Sequence, residues 1–299
     1  MSILNKLVVG TLPVLPRNFV RIFANKYIAG DKLSDAVSAV KALNVQGFKA
    51  TMDVLGESIS ERDEALKSTK DNIDVLKAIT DNNLDCNLSV KLTMLGLGID
   101  KEFCLNNMRE ILSEATNRNI FVRIDMEDSS VTQTTLDVFN TLRTEFDQMG
   151  IVIQAYLRRS FADVENLSTG QVNLRICKGI YIEPEEIAFK GFQEVRDNFL
   201  KLVNTALSNG SYVGIATHDD FLVDQSIKII NELKLPKDKF EFQMLLGVRE
   251  NLRDKILKEG YKLRIYVPFG ERWYEYSIRR FKENPNIAGH VFKNIFSGN

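Results

Sequence analysis

An α/β fold, a (βα)8 barrel of the TIM type, is predicted for this chain by three observations. Eight apolar runs recur along its 299 residues, and each ends in polar side chains: TMDVLG (51–56), LSVKLT (88–93), VRIDME (122–127), VIQAYL (152–157), LRICKG (174–179), IATHD (215–219), EFQML (241–245) and RIYVPFG (264–270). Segments of helical length and pattern separate most of them. Within the runs, polar and apolar residues alternate with the period of two that marks a strand. In such barrels the C-terminal strand ends carry the active site, so the polar run ends locate the chemistry.

The elements follow in order. The N-terminus, MSILNKLVVGTLPVLPRNFVRIFANKYIAG, is apolar and mildly basic. Pro13 and Pro16 interrupt it and no A-x-A cleavage pattern follows, which argues against a secretory signal. It reads as a short leading helix, a Pro-bounded turn and an amphipathic helix over about 17–29. There Phe19, Val20, Ile22, Phe23 and Tyr27 stand beside Arg17, Arg21 and Lys26. Packing on the barrel is favoured over contact with membrane lipid. Residues 1–45 are taken as N-terminal helices packed on the barrel, and 46–299 as the barrel proper. Ser34-Asp35-Ala36 opens a helix at 34–45, and Ser60 with Asp63 one at 58–69. Asp100 caps 100–117, and Thr132 opens 131–149, which Gly150 ends. No helix is assigned between strands four and five. Pro184, with Glu185 and Glu186, opens 184–208, which stops at Asn209-Gly210. Helices at 221–234 and 247–259 continue the alternation, and one at 271–283 follows strand eight.

Composition narrows the function. Hydrophobic residues make up 44% and charged residues 26%, as in a soluble globular protein. Lys plus Arg (39) balances Asp plus Glu (40), so the basic excess of a nucleic-acid-binding protein is missing. The cysteines, Cys86, Cys104 and Cys177, are odd in number and form no CxxC, which fits reduced thiols in a cytosol-like compartment. The two histidines, His218 and His290, stand far apart, so no short motif supplies two His ligands to a metal. No run approaches the roughly 18 apolar residues of a membrane span.

The alternation has a consequence for the barrel interior. One parity of the strands collects Ser89, Lys91 and Thr93; Arg123, Asp125 and Glu127; Gln154 and Tyr156; Asn173, Arg175 and Cys177; Glu241 and Gln243. The apolar parity must face the helices, so the polar set lines the lumen. Barrel interiors are ordinarily filled by branched apolar residues, and burying unpaired charge is costly. Mutual neutralisation of Lys91, Asp125 and Arg175 accounts for any one of them as well as a catalytic role does. For the ring as a whole, a polar ligand is the better account.

Other constellations are weaker. Arg279 and Arg280 could grip one carboxylate from two sides, or Arg279 could pair with Glu283 on a solvated face. Lys91 or Lys178 could be a Schiff-base nucleophile if burial lowered its pKa. A lone histidine such as His218 is usually a satisfied hydrogen-bonding group. Gly96-Leu97-Gly98 fits no dinucleotide or P-loop fingerprint.

The ordered segments DVLGE (53–57), SVKLT (89–93), RIDME (123–127), IQAYLRR (153–159), RICKGIY (175–181), ATHD (216–219), FEFQMLLG (240–247), RIYVPFG (264–270) and YSIRRFKENP (276–285) together resemble the proline dehydrogenase (proline oxidase) family. The resemblance runs from about residue 45 to the end. It implies a distorted barrel with a lid helix after strand eight, and oxidation of L-proline to Δ1-pyrroline-5-carboxylate with reduction of FAD. Electrons would then pass to a quinone. On that pattern Asp125 and Arg175 resemble the active-site pair. Lys91, Arg279 and Arg280 resemble the cations at the proline carboxylate, and Tyr266 and Leu245 the walls around its ring. Met126, Gln154, Arg175, Lys178, Gly179, Ile180, Thr217, His218 and Gln243 match flavin-contact positions. Glu57 resembles the gate residue that pairs with Arg279. Ile180, where the family often has Ala, and Asp219, where ATHN is commoner, depart from the pattern, and Asp219 is expected to add negative charge beside the flavin. A monofunctional, cytoplasmic enzyme is implied, in peripheral contact with the inner face of the membrane where quinone resides. Its product would be released or handed to a pyrroline-5-carboxylate dehydrogenase.

Overall fold

The computed structural model describes residues 17–274, 276 and 277. The leading segment before residue 17, Arg279, Arg280 and most of the helix expected after strand eight lie outside the described residues. Eight parallel strands close a barrel in sequence order: β1 (Lys49–Val54), β2 (Cys86–Val90), β3 (Val122–Ile124), β4 (Met149–Gln154), β5 (Asn173–Cys177), β6 (Tyr212–Ala216), β7 (Phe240–Leu245) and β8 (Leu263–Phe269). β8 returns to β1 in register, with Thr51 beside Tyr266 and Asp53 beside Pro268. One parity of the strands, including Met52, Leu88, Ile124, Ile151, Ile176, Ile215, Phe242 and Ile265, is buried in a single apolar core. Helices α3 (Arg62–Asp81), α4 (Lys101–Asn117), α5 (Ser129–Leu142), α6 (Ser160–Ser168), α7 (Phe192–Ser208), α8 (Asp220–Glu232) and α9 (Glu250–Lys258) alternate with the strands.

Among the described residues, two helices precede the barrel. α1 (Arg17–Tyr27) and the turn after it bury Ala24 and Ile28 against Leu55 and Tyr276. The chain then runs along the end of β8, where the Ala29 N–H donates to Pro268 O and the Gly270 N–H to Gly30 O. α2 (Leu33–Val45) lays Ala36, Val40 and Leu43 into the same core as the strands, over β1 and β8.

Asp100 caps α4 as the sequence implies, its carboxylate accepting from the Phe103 N–H at 2.7 Å. Other boundaries differ from those read above. α3 runs to Asp81 rather than ending near 69, because its inward face carries Ser68, Thr69 and Asn72 among apolar residues and so breaks the visible stripe. α5 starts after the Asp128 cap and stops at Leu142; β4 begins at Met149, leaving Ala155–Leu157 in a turn. α6 has no side-chain cap and is nine residues long, so neither capping nor periodicity announces it. Pro184 opens a turn, not α7; its carbonyl accepts from Ile187 and Ala188. α7 begins eight residues later, where Glu194 accepts from the Gly191 N–H.

The lumen is filled by charge. Glu241 accepts from Arg264 Nε at 2.6 Å and from Gln243 Nε2 at 2.7 Å. Arg264 also donates to Ala50 O, and Arg123 to Asn173 O, each at 2.7 Å. Long side chains fit because facing positions are glycine: a Cβ at Gly150 would lie 2.6 Å from an Arg123 nitrogen, and one at Gly214 2.5 Å from Gln243 Nε2. Burial opposes the Glu241 charge, but Arg264 outweighs it and holds the carboxyl below its usual range. Glu241→Gln would strip that charge from the Arg264 partnership, and breaking a buried pair costs about 3–5 kcal/mol. A large fall in denaturation midpoint is expected for E241Q, and a smaller one for the double replacement of Glu241 and Arg264 by Met. Equal losses would show that the pair is no more than packing.

Candidate active site

At the C-terminal strand ends the lumen opens into a cavity of about 640 Å3, within the roughly 300–1,000 Å3 typical of small-molecule and cofactor sites. Every predicted site residue that the structure describes lines it, although these residues come from seven strand ends and the segment after β1. Arg279 and Arg280 lie outside the described residues.

The floor is an alternating cluster of acids and bases. Arg175 Nη1 donates to Asp125 Oδ1 at 2.7 Å, and Ser89 Oγ donates to the same oxygen at 3.1 Å. Tyr266 Oη donates to Asp125 Oδ2 at 2.7 Å, and the Arg175 guanidinium stands 5.3 Å from the Tyr266 ring centre. Burial and the neighbouring Asp125 push the phenol well above its ordinary range, so Tyr266 stays a donor. Lys91, just past β2, donates to both oxygens of Asp53, at 2.7 and 2.8 Å, and its Nζ is 3.9 Å from Asp125. Burial works against the Lys91 charge, but Asp53 and Asp125 outweigh it and raise its pKa above the usual range.

Asp53 was not singled out in the sequence. The run ATMDVL offers one acid among apolar residues, with no visible partner. The signal that could have found it is parity: with Thr51 it points inward beside Ser89 of β2, where a buried Lys91 needs a counter-ion.

The remaining predicted residues form the walls and mouth. Met126, Gln154, Gly179, Ile180, Thr217, Gln243 and Leu245 line the cavity. Gln243 Oε1 accepts from Arg175 Nε, which joins the wall to the floor. Gln154 Nε2 donates to Glu127 O at 2.8 Å. Gly179 has a φ of +100°, and a Cβ there would sit 1.9 Å from the Tyr156 ring, so only glycine lets this turn lie on Tyr156. Glu57 accepts from Tyr181 Oη at 3.2 Å.

At the mouth, Asp219, expected to add negative charge, is met by two cations. It receives Lys178 Nζ at 2.6 Å and Arg196 through Nε and Nη2 at 2.9 and 2.6 Å, and it caps α8 through the Phe221 N–H. Burial opposes ionisation, but Arg196 and Lys178 outweigh it and hold the carboxyl at about 2. Arg196 also lies over the rings of Phe192 and Phe221, with centroids at 4.2 and 4.6 Å. Neither Arg196 nor Phe192 carried a sequence signal: Phe192 is the first residue of an ordinary amphipathic helix and Arg196 its fifth.

His218 is a structural acceptor in this arrangement: its Nε2 accepts from the Leu245 N–H at 2.9 Å. Burial, with Arg249 and Lys178 nearby, lowers it to about 4 from 6.5. The folded state thus keeps His218 neutral. Stability from this group is full above about pH 6.5 and is lost as pH falls towards 4, because the unfolded chain takes up the proton first. His218→Gln keeps an acceptor but cannot titrate. Thermal denaturation between pH 6.5 and 4 should show a shallower acid loss for H218Q than for the unmodified chain; parallel curves would remove His218 from the account.

Among the described residues no group of acids, cysteines and histidines is placed to hold a metal, and no helix is long and apolar enough to cross a membrane. Comparison with known proteins agrees with the geometry. The family model for proline dehydrogenase matches residues 36–293. Proline dehydrogenase 2 of Bacillus subtilis (strain 168) is 38% identical over 287 residues, 96% of this chain and 95% of that protein. Proline dehydrogenase of Deinococcus radiodurans is 35% identical over 280 residues, 92% of this chain and 90% of that protein. Among solved structures, proline utilization A from Bdellovibrio bacteriovorus, inactivated by N-propargylglycine, superposes with a TM-score of 0.82 at 27% identity. It matches 88% of this chain, which spans 32% of that one. With a matching family model over most of its length and relatives above a third identical, this chain belongs to the proline dehydrogenase family.

Proposed function

We propose that the chain oxidises L-proline to Δ1-pyrroline-5-carboxylate with FAD in the barrel cavity, and that a quinone takes up the electrons. The observation that carries this reading is the floor: a paired Asp125–Arg175 and a paired Asp53–Lys91 under a cavity of about 640 Å3. The residues present suit the cofactor. The bare backbone of the Gly179 turn and the Thr217, His218, Gln154 and Gln243 side chains offer polar contacts along an otherwise apolar wall. Lys178 stands beside Gly179, where a cation would meet phosphate. FAD, when bound, supplies the two-electron acceptor for the C–H bond next to the proline nitrogen.

The chain's own residues do the rest. Lys91 is fixed by both oxygens of Asp53 and keeps its third N–H turned towards Tyr266, at 3.4 Å, on the cavity side. In this reading it hydrogen-bonds one oxygen of the proline carboxylate, with Arg279 and Arg280 as the further cations for that carboxylate. Tyr266 and Leu245 enclose the ring. Three cations on one small anion would hold the reacting carbon in a single pose, a proximity effect. The cations around the amine favour loss of its proton, which frees the lone pair that assists oxidation. Asp125 is held by three donors and serves to orient Arg175, which faces the cofactor.

A Schiff-base aldolase is the reading the geometry disfavours. Its lysine must be neutral to attack a carbonyl, whereas Lys91 is bound to Asp53 and held charged, and Lys178 is bound to Asp219.

The visible spectrum of the purified protein, before and after anaerobic L-proline, tests the reading. Flavin bands that bleach with proline are expected. Flavin that proline leaves oxidised would remove the substrate, and a protein that stays colourless after incubation with FAD would remove the cofactor. A second measurement concerns Tyr266→Phe, which keeps the ring and deletes the bond to Asp125. A hydrogen bond to a charged group is worth about 1.5–3 kcal/mol, so kcat/KM should fall roughly 10- to 150-fold with flavin content unchanged.

A further inference from the structure

Glu127 lies two residues beyond Asp125, is 3% exposed, and does not line the cavity. Its carboxylate accepts from the Thr93 N–H at 3.1 Å and from the Thr93 hydroxyl. Thr93 in turn accepts from the next segment: its Oγ from the Ser58 N–H at 3.0 Å and its carbonyl from the Ile59 N–H at 3.2 Å. Ser58 has a left-handed φ of +55°, a conformation that costs a non-glycine residue roughly 1–3 kcal/mol and persists where its surroundings fix it. Thr93 is what fixes it. The segment so held, between β1 and α3, carries Glu57, which reaches the cavity mouth beside Tyr181. Glu127 also reaches the opposite wall, since its carbonyl accepts from Gln154.

We propose that Glu127 is a positioning residue for the cavity mouth: through Thr93 it holds the 55–61 segment in the arrangement that sets Glu57 over the bound substrate. The proposal rests on the reading of the cavity as a proline site, but the contact relay itself does not. Thr93 has one hydroxyl hydrogen, and giving it to Glu127 leaves the oxygen lone pairs facing the Ser58 N–H. A carboxylate at Glu127 is therefore what sets the direction of the whole chain of bonds. Burial, with a small contribution from Glu57, pushes Glu127 up to about 7 against the Thr93 bonds and Lys91, which lower it. The charged or titratable groups facing it are Lys91, Glu57 and the Cys104 thiol of α4. Near neutral pH the relay thus passes between a strong charged acceptor and a weaker neutral one.

The test uses the FAD-loaded protein carrying Glu127→Gln, Thr93→Val or Thr93→Ser. Amide hydrogen exchange at Ser58 and Ile59 should quicken at least tenfold in E127Q and T93V and stay within twofold in T93S, which keeps the hydroxyl. KM for proline should rise at least fivefold in the first two, with kcat and flavin content within twofold. An inflection near pH 7 in KM should be present in the unmodified chain and missing from E127Q. If E127Q does not fold, T93V against T93S carries the comparison. Unchanged exchange at Ser58 and Ile59 overturns the relay; faster exchange with unchanged KM overturns the role at the mouth. Faster exchange in a protein that does not oxidise proline at all upholds the relay and overturns the proline reading instead.

Discussion

Neutralising the charge buried inside the barrel is the constraint on which the rest of this structure depends. A lumen of branched apolar residues would need only shape. This one holds Arg123, Arg175, Arg264 and Lys91 against Glu241, Asp125 and Asp53, and each must find its partner inside. The solution is one connected chain. Arg264 binds Glu241, Glu241 receives Gln243, Gln243 receives Arg175, and Arg175 binds Asp125. Glycines at 150 and 214 exist to make room for it. The floor of the cavity is the upper end of this chain, so its geometry is set by the barrel core and not by mobile surface side chains. Donors placed before substrate arrives need no rearrangement during reaction.

The sum of these charges is close to zero. Counting Glu127, which shares the inward parity, four cations meet four carboxylates, and Arg123 feels the other arginines. Burial first, and then Arg175 and Arg264, draw it down to about 9, while its guanidinium is satisfied mostly by carbonyls.

The sequence made the barrel legible because period-two alternation survives even when the inward set is charged. Arg123, Asp125 and Glu127 could not all face apolar helices, so their parity declared the lumen. Elements whose signal depends on partners were not legible. α3 looked short because Ser68, Thr69 and Asn72 turn inward and bond within the helix, as Thr69 does to Ala65 O and Asn72 to Ser68 O. Pro184 carried a helix-start signal that tertiary contacts overrode, since the chain first pairs Leu157 with Ala188. Asp53 needed the β1–β2 register to acquire meaning. The partner of Asp219 was not visible in the sequence because Arg196, 23 residues earlier on α7, is brought to it only by the fold.

Partner geometry also separates the cations by what each can still do. Lys91 spends two of its three N–H groups on Asp53 and therefore acts as an oriented donor within a nearly neutral pair, not as a free positive charge. Lys178 shares Asp219 with Arg196, so neither of these two cations at the mouth stands free. Arg175 is committed to Asp125, Gln243 and Ser89 and can offer a ligand only its edge or face. The full negative charge of a proline carboxylate is thus poorly matched by the floor alone. In the proposed reading Arg279 and Arg280 supply the positive charge that the floor withholds. The Glu57 segment, anchored from below by Thr93 and Glu127, borders the same cavity at its mouth.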